Sequence, residues 1–234
     1  MDQDISSNRA TDLDFNREET LAVAALLALA GGYIDAYSWI THRVFANAQT
    51  ANMLFLWINA MEGEWARALH YLPPLTAFFI GVIMACWLRR LAGGRAAPIS
   101  LLVEIIFLVV VDIFHNRHPV AGTLGISFVA AMQAASFPRV EAWSYNSVMA
   151  TTNLRQAIES LFNALAGCSD PSPFRRPMVF GTILAAFGVG AAIGAYVTVQ
   201  VPALTLGIPV TFLLIALLRC EQRGGSIPTK QTTS

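Results

Sequence analysis

The sequence predicts an all-α membrane protein with six transmembrane helices and two short re-entrant or interfacial helices, arranged as two inverted-topology repeats. Composition gives the class, because 55% of the residues are hydrophobic and only 13% are charged, whereas soluble domains are about 25% charged. Mean hydropathy is +0.54. Several windows reach the roughly 20 apolar residues that a helix needs to cross a hydrocarbon core of about 30 Å. An internal repeat in the sequence predicts how the helices are arranged.

Six segments are apolar and long enough to be the spanning helices: residues 20–40, 71–88, 99–114, 119–137, 178–199 and 202–218. Polar tails flank them. Residues 1–19 and 219–234 are predicted to be cytoplasmic tails, and the first is expected to be disordered because it has few apolar side chains. It also lacks the basic region and cleavage site of a signal peptide.

Two further segments, 46–61 and 146–167, decide the topology, because both are short or interrupted by polar residues. If both cross, there are eight spans, with Arg155 inside one span and these residues outside: Arg43, Arg89, Arg90, Arg95 and Arg139. If neither crosses, there are six spans, both termini lie inside, and only three of the fifteen basic residues lie outside (Arg43, Arg67 and Arg117). Cytoplasmic loops collect Lys and Arg. Six spans are therefore predicted.

The second short segment has the pattern of a helix with one apolar side. Four apolar residues repeat at helical spacing: Leu154, Ile158, Leu161 and Leu165. Polar residues occupy the remaining surface: Arg155, Gln156, Glu159 and Asn163. This is the pattern of an interfacial or re-entrant helix.

An internal repeat links the two halves. The pattern Thr-x-Asn occurs at Thr50 and again at Thr151, an offset of 101, and two pairs of prolines agree at an offset of 104: Pro73 with Pro177, and Pro98 with Pro202. Residues 20–115 and 119–218 thus form two copies of one unit. Three spans per unit is an odd number, so the second copy enters the membrane from the opposite side, as in many secondary transporters. Alternatively, the repeat records only gene duplication and helps packing.

The stretches "GGYIDAYSW", "QTANMLFL" and "TTNL" resemble the YoaK family, bacterial integral membrane proteins grouped under domain of unknown function 1275. The resemblance covers roughly residues 20–220. The family's Gly-x-x-Asp-Ala element is matched by Gly32, Asp35 and Ala36. Its Thr-Gly-Asn elements are matched only in part, by Thr50 with Asn52 and by Thr151 with Asn153, since the middle residues are Ala51 and Thr152. The resemblance implies a multi-pass protein of the bacterial cytoplasmic membrane and supplies no substrate.

Asp35 is the first candidate site residue. It shares a helical face with small or slightly polar residues (Ala28, Gly31, Gly32 and Ser38), against which another helix can pack closely. A charged Asp at mid-membrane costs about 3 kcal/mol or more, so this side chain should face protein or water. Asp35 is then either a proton- or cation-coupled site or a neutral group that bonds to a neighbouring helix.

Asn52 and Asn153 are candidates near the starts of the two short helices. Paired helix N-termini could attract an anion or a polar solute. A simpler alternative is that Thr50, with Thr151 or Thr152, caps the free amide groups. Gln49, Asn52 and Asn59 fall roughly along one stripe, which suggests a wet or hydrogen-bonding face.

Two further polar residues lie in predicted spans. Glu104 could lie on an ion path, but snorkelling or an ion pair with Arg95 or Arg139 is the more usual explanation of such a residue. Gln133 lies in the helix that corresponds by repeat to the one bearing Asp35, so it is a candidate partner of Asp35 across the pseudo-axis.

The sequence favours neither an enzyme nor a metal site. It contains no Gly-x-Ser-x-Gly, His-Glu-x-x-His or nucleotide-binding loop. Asp112, His115 and His118 have a spacing that would suit a metal only if the helix continued through them, and an outer turn is predicted there instead. We expect no metal and no cofactor. The formal net charge of zero gives no support for nucleic-acid binding.

We therefore expect a secondary transporter or permease for a small solute. The residues expected near its path are Asp35, Gln49, Asn52, Asn59, Glu104, Gln133 and Asn153. The alternative is a non-transporting scaffold or partner-binding protein in which these residues hold helices together. The expected partners are the lipid bilayer and a small solute or coupling ion, and the oligomeric state is open.

Overall fold

The computed structural model describes residues 19–114, 119–147, 149–167, 172–201 and 205–221. These ranges contain the following α-helices: α1 (Leu21–His42), α2 (Gln49–Met61), α3 (Trp65–Leu69), α4 (Leu72–Ala92), α5 (Ala96–Phe114), α6 (Pro119–Ser136), α7 (Ala150–Leu165), α8 (Arg175–Gln200) and α9 (Gly207–Glu221). A 3-10 turn over Gly93–Arg95 joins α4 to α5. Two short antiparallel strands, β1 (Arg139–Val140) and β2 (Trp143–Ser144), form a hairpin between α6 and α7.

Each predicted span corresponds to a helix whose ends differ by a few residues. Helix α4 continues to Ala92, past the predicted end at 88, and α9 continues to Glu221, into the predicted tail. Residues 1–18 and 222–234, the rest of both tails, lie outside the described residues. The two doubtful segments are helices α2 and α7. Neither α3 nor the β1–β2 hairpin was predicted.

Several helices have the length and composition of membrane spans. Three helical stretches qualify among the described residues: Leu21–His42, the 49-residue stretch Trp65–Ile113, and Arg175–Gln200; Gly207–Cys220 is a shorter apolar helix. A straight helix of 49 residues would be over about 70 Å long, more than twice a hydrocarbon core of about 30 Å. That stretch begins with α3, and the turn after Ala92, where Gly93 has a φ of 53°, separates α4 from α5. The apolar helices indicate a membrane protein.

Helices α2 and α7 are shorter than the three long apolar stretches, although α9, with 15 residues, is no longer than α7. They have 13 and 16 residues, or about 20 and 24 Å. Each exposes a row of large apolar side chains: Met53, Leu54, Trp57, Ile58 and Met61 on α2, and Leu154, Ile158, Leu161, Phe162 and Leu165 on α7. Beside the α7 row, Arg155 pairs with Glu159 at 3.2 Å. The apolar side predicted for α7 therefore lies on the protein surface.

The helices pack crosswise between the two halves of the chain. The two most extensive contacts join α1 to α8 and α4 to α6, so each joins a helix of the first half to one of the second. Further contacts join α1 to α9, α5 to α6, α5 to α9 and α1 to α6, and α7 packs on α8 within the second half. The main apolar core lies among α1, α5, α6 and α9.

Glycines bring α1 and α8 into main-chain contact. A Cβ built on Gly190 would lie 2.1 Å from the Leu29 carbonyl oxygen, and one on Gly194 would lie 2.6 Å from that of Tyr33. From the other side, a Cβ on Gly32 would lie 2.0 Å from the Phe187 carbonyl oxygen. Small residues permit such close approach of helices in membranes. The Gly-x-x-x-Gly pattern at 190–194 thus acts within the chain.

We expect Gly190→Ala to lower the free energy of unfolding by about 1–3 kcal/mol, because a methyl group there must push α1 and α8 apart. The matched control is Gly188→Ala on the same helix, where a Cβ would meet nothing within 4 Å and where alanine gains up to about 1 kcal/mol of helix propensity. Thermal unfolding in detergent compares them. Equal melting temperatures for the two variants would contradict this packing.

Candidate functional site

The candidate site begins where α1 ends. Arg43, the C-cap residue, has a φ of 57° in the left-handed region, and its amide donates to the Trp39 carbonyl at 3.0 Å. The chain then leaves the helix and does not become helical again until Gln49. The main-chain groups of this α1–α2 loop, residues 43–48, need hydrogen-bond partners other than those of a continuous helix.

Asn52 supplies partners for the α1–α2 loop from inside α2. Its Oδ1 accepts from the Phe45 amide at 2.9 Å, and its Nδ2 donates to the Phe45 carbonyl at 2.7 Å and to Gln49 Oε1 at 2.9 Å. Gln49 Nε2 in turn donates to the Ala46 carbonyl at 2.7 Å. Asn52 is fully buried. Two side chains on the predicted polar stripe of α2 therefore hold the loop that precedes it.

Asp35 holds the same loop from α1. Its Oδ1 accepts from the Asn47 amide at 2.8 Å, and Asn47 Nδ2 donates to the Gly31 carbonyl at 3.2 Å. Ser38, one turn along, accepts from the Ala46 amide through Oγ at 3.1 Å. Asp35 is buried. The carboxylate thus bonds to the loop that follows its own helix rather than to a neighbouring helix.

The second half repeats this arrangement before α7. Asn153 Nδ2 donates to the carbonyl of Asn146 at 2.7 Å, and Asn146 lies seven residues earlier, the same separation as from Asn52 to Phe45. Asn153 is buried to the same degree as Asn52. The offset of 101 seen in the sequence therefore relates a pair of hydrogen-bonded residues as well as a short motif.

Threonine capping of the short helices was wrong. The N-cap residues are Ala48 and Met149, and neither makes a side-chain cap hydrogen bond. Thr50, Thr151 and Thr152 lie inside the first turns. The helices begin earlier than the Thr pattern suggested because the asparagines, which lie farther into each helix, hold the preceding chain in place.

Gln133 reaches α1, but it does not reach Asp35. Its Nε2 donates to the Leu27 carbonyl at 3.1 Å and to Ser147 Oγ, in the loop before α7, at 3.3 Å. Leu27 lies eight residues before Asp35, about 12 Å along the helix. The predicted contact between Gln133 and Asp35 is therefore wrong, although Gln133 does join α6 to α1. The fold places it level with an earlier turn of α1.

The described contacts of the Asn59 side chain do not include the α1–α2 loop. Its Nδ2 donates to the Phe55 carbonyl at 2.6 Å, one turn earlier on α2. It is half-buried. Of the predicted stripe on α2, Gln49 and Asn52 therefore act together, and Asn59 lies apart from them.

Glu104 makes neither of the ion pairs considered for it. Arg139 Nε instead pairs with Glu19 Oε1 at 2.9 Å, and Arg95 is exposed nine residues before Glu104, about 14 Å along α5. The glutamate does not snorkel either, because it is fully buried, and both of its carboxylate oxygens lack a hydrogen-bond partner among the described residues.

The metal-like spacing around Asp112 is described only in part, because His115 and His118 lie outside the described residues. Within the described ranges, no group of three or more His, Cys, Asp or Glu side chains could hold a metal ion.

The structure also adds Asn47 and Ser147 to the candidate site, and neither residue was predicted from the sequence. In the sequence, each is simply a polar residue that lies a few positions before a short helix.

Replacing Asn52 with alanine should destabilise the protein by about 1–3 kcal/mol for each main-chain group left without a partner. Asn153→Ala should act in the same direction but less strongly, because it removes one described bond instead of three. The measurements are thermal unfolding in detergent and amide exchange in the loops.

Two matched controls lie on the same helices. Asn59→Ala on α2 removes only a bond within the helix, and Asn163→Ala changes an exposed residue of α7. Both should leave loop exchange unchanged. If Asn52→Ala and Asn59→Ala behaved alike, the role assigned to Asn52 would be refuted.

Comparison with known proteins gives a family. No curated protein and no solved structure matches the chain. The model of a family described as "Protein of unknown function (DUF1275)" matches residues 23–219. This range includes both loop-holding asparagines and Asp35. The chain therefore belongs to the DUF1275 family.

Proposed function

We propose that this chain is a multi-pass protein of the bacterial cytoplasmic membrane that works as a secondary transporter or permease for a small solute. In this proposal it has six transmembrane helices (α1, α4, α5, α6, α8 and α9), and both termini are cytoplasmic. Helices α2 and α7 enter the membrane only part of the way. The two halves of the chain are inverted repeats.

Crosswise packing supports the inverted repeat. If a twofold axis exchanges α1 with α6 and α4 with α8, a contact between α1 and α8 requires an equivalent contact between α6 and α4. These two contacts are the most extensive between helices. The same exchange, with α5 equivalent to α9, relates the α1–α9 contact to the α6–α5 contact. The α1–α6 and α5–α9 contacts then lie on the axis.

The observation that carries the transport proposal is the pair of helix interruptions with matching hydrogen bonds. Non-helical main chain at membrane depth is tolerated only where protein or water covers it. In secondary transporters, such interruptions form the binding site near the repeat interface. Here Asp35 and Asn52 surround one interruption, and Gln133 and Asn153 surround the other. The amides of Gln49 and Ala51 already bond to the Asn47 and Ala48 carbonyls, so the attraction for a polar solute would come from the positive dipole ends of α2 and α7.

One observation favours the non-transporting alternative. Each of these polar side chains bonds to groups of its own chain: Asp35, Asn52, Gln133 and Asn153. A scaffold needs no more than this. The exposed apolar rows of α2 and α7 would then contact lipid or a partner. On this alternative, changes at the site alter stability and produce no change in flux.

Uptake into proteoliposomes tests the proposal. The purified full chain is reconstituted and assayed with radiolabelled amino acids, carboxylates, nucleobases and sugars, one class at a time. The proposal expects uptake of at least one class above that of protein-free liposomes. Uptake at the background level for every class, by protein that retains its melting temperature, would favour the scaffold.

Two substitutions at Asp35 sharpen this experiment. Asp35→Asn retains an oxygen that can accept from the Asn47 amide, so it should retain most of the uptake. Asp35→Ala removes that acceptor and should lose most of it, because the loop at the site is no longer held. Loss of uptake in both variants, with normal folding of Asp35→Asn, would instead make the charge of Asp35 essential.

A further inference from the structure

Helix α5 carries a buried carboxyl group for which the described chain provides no hydrogen-bond partner. Glu104 is fully buried, and neither of its oxygens has a hydrogen-bond partner. Ser100, one turn earlier on α5, is also fully buried, and its hydroxyl likewise lacks a partner. Asp35, by contrast, accepts a main-chain hydrogen bond. Among the acids that the structure describes, Glu104 is therefore the buried one whose two oxygens both remain available.

Contacts farther along α5 show where Glu104 points. Val111 lies 3.2 Å from a Cβ built on Gly125, and the rings of Phe107 and Phe128 are 5.4 Å apart. These contacts show that α5 and α6 run antiparallel. Glu104 lies three residues before Phe107 and seven before Val111. At this spacing the three side chains lie on the same side of α5. That side faces α6.

The same register brings a third polar group to this interface. When the antiparallel alignment given by these contacts is continued along both helices, Ser136 of α6 comes level with Ser100 of α5. Ser136 is buried, and its hydroxyl also lacks a hydrogen-bond partner in the described part of the chain. We call Ser100, Glu104 and Ser136 the α5–α6 polar cluster. It lies beside the apolar core that contains Leu101 and Ile105.

No described cation neutralises Glu104. Lys, Arg and His nitrogens of the described residues form no pair with it within 4.0 Å, and α6 has no ionisable residue over Pro119–Ser136. Helices α1 and α9 bring Tyr33, Tyr37 and Cys220 to the neighbouring core. Farther along α5, the buried ring of His42 lies 3.7 Å from a Cβ built on Gly122 of α6. The basic residues of α4 and α9 nearest in sequence to the core are exposed: Arg89, Arg90 and Arg219. A charged Glu104 would have no counter-ion among the residues that the structure describes.

The chemistry of the cluster favours a proton over a metal cation. An isolated carboxylate in an apolar environment is strongly disfavoured, and adding a proton removes the charge. A dehydrated divalent cation requires about six oxygen ligands. Glu104, Ser100 and Ser136 supply only four unpartnered oxygens. The site therefore suits the smallest cation.

We propose that Glu104 is a buried proton-binding site and the residue that carries the coupling proton in the transporter proposed above. The carboxyl group is neutral while α5 and α6 enclose it, and it releases the proton only when water reaches the α5–α6 polar cluster. The proton-carrying role rests on the proposed function. The binding of the proton does not.

Labelling with dicyclohexylcarbodiimide, an apolar reagent that reacts with neutral carboxylic acids, tests proton binding without a known solute. The full chain in detergent or liposomes is treated over a range of pH, and the modified peptides are identified by mass spectrometry. We expect modification at Glu104 that decreases as pH rises, and none at the exposed Glu159. Glu104→Gln should lose the modification, and Asp35→Asn should retain it.

Specific outcomes would overturn proton binding at Glu104. One is protection from labelling by Na⁺ or Mg²⁺ at constant pH, which would make this a metal-cation site. Another is absence of labelling at Glu104 in the folded wild-type chain, a result that does not depend on how any variant folds. Glu104→Leu adds a check, because removal of a neutral, unpartnered acid should leave the melting temperature unchanged or raise it, whereas a large decrease would indicate a charged and paired Glu104.

Flux measurements separate this proposal from the transporter proposal. Uptake driven by a pH gradient should be lost in Glu104→Gln, while exchange of labelled for unlabelled solute should remain. Gradient-driven uptake that survives in this variant would overturn the carrying role. Labelling of Glu104 together with background uptake for every solute would overturn the transporter proposal and support proton binding alone.

Discussion

A helix can be interrupted in apolar surroundings only if the main-chain groups that it releases find partners inside the protein. The chain meets this requirement at two places, each time with an asparagine side chain. Asn52 bonds the main chain of Phe45, and Asn153 bonds the main chain of Asn146. Asp35 adds an acceptor for the first loop. An acid inside an oily helix is thus explained by the loop that follows, since its carboxylate supplies a partner that the interruption would otherwise lack.

Close packing makes these interruptions possible, because α1 is supported by α8 over the turns that precede its end. Gly32, Gly190 and Gly194 leave no room for side chains between the two helices, so main chain meets main chain. Gln133 then connects α6 to α1 and to the loop before α7 through two hydrogen bonds. In the proposed transporter these connections let a change at one interruption affect the other, since both meet the same helix, α1.

Apolar runs predicted the main helices, because length and hydropathy are local properties of the sequence. Polar residues at unusual places identified Asp35, Asn52, Gln133 and Asn153 as candidate site residues, but the pattern could not give their partners. Gln133 bonds to Leu27 instead of Asp35 because the level at which α6 meets α1 depends on tertiary packing. The threonine caps failed for a related reason, since the side chain that satisfies each loop comes from farther along the helix. For Glu104, the sequence suggested Arg95 and Arg139 as ion-pair partners. Only the fold shows that Arg95 lies too far along the helix and that Arg139 pairs with Glu19.

The central claim is that two equivalent interruptions lie in halves of the chain that face opposite sides of the membrane. Glu62 and Ala166, the C-cap residues of α2 and α7, have similar backbone conformations and are both exposed, so they make a matched pair for labelling. Each is replaced singly by cysteine in a cysteine-free background and treated with a membrane-impermeant thiol reagent in intact cells and in inverted vesicles. The account predicts that Glu62→Cys reacts from outside and Ala166→Cys from inside. Reaction of both from the same side would contradict it.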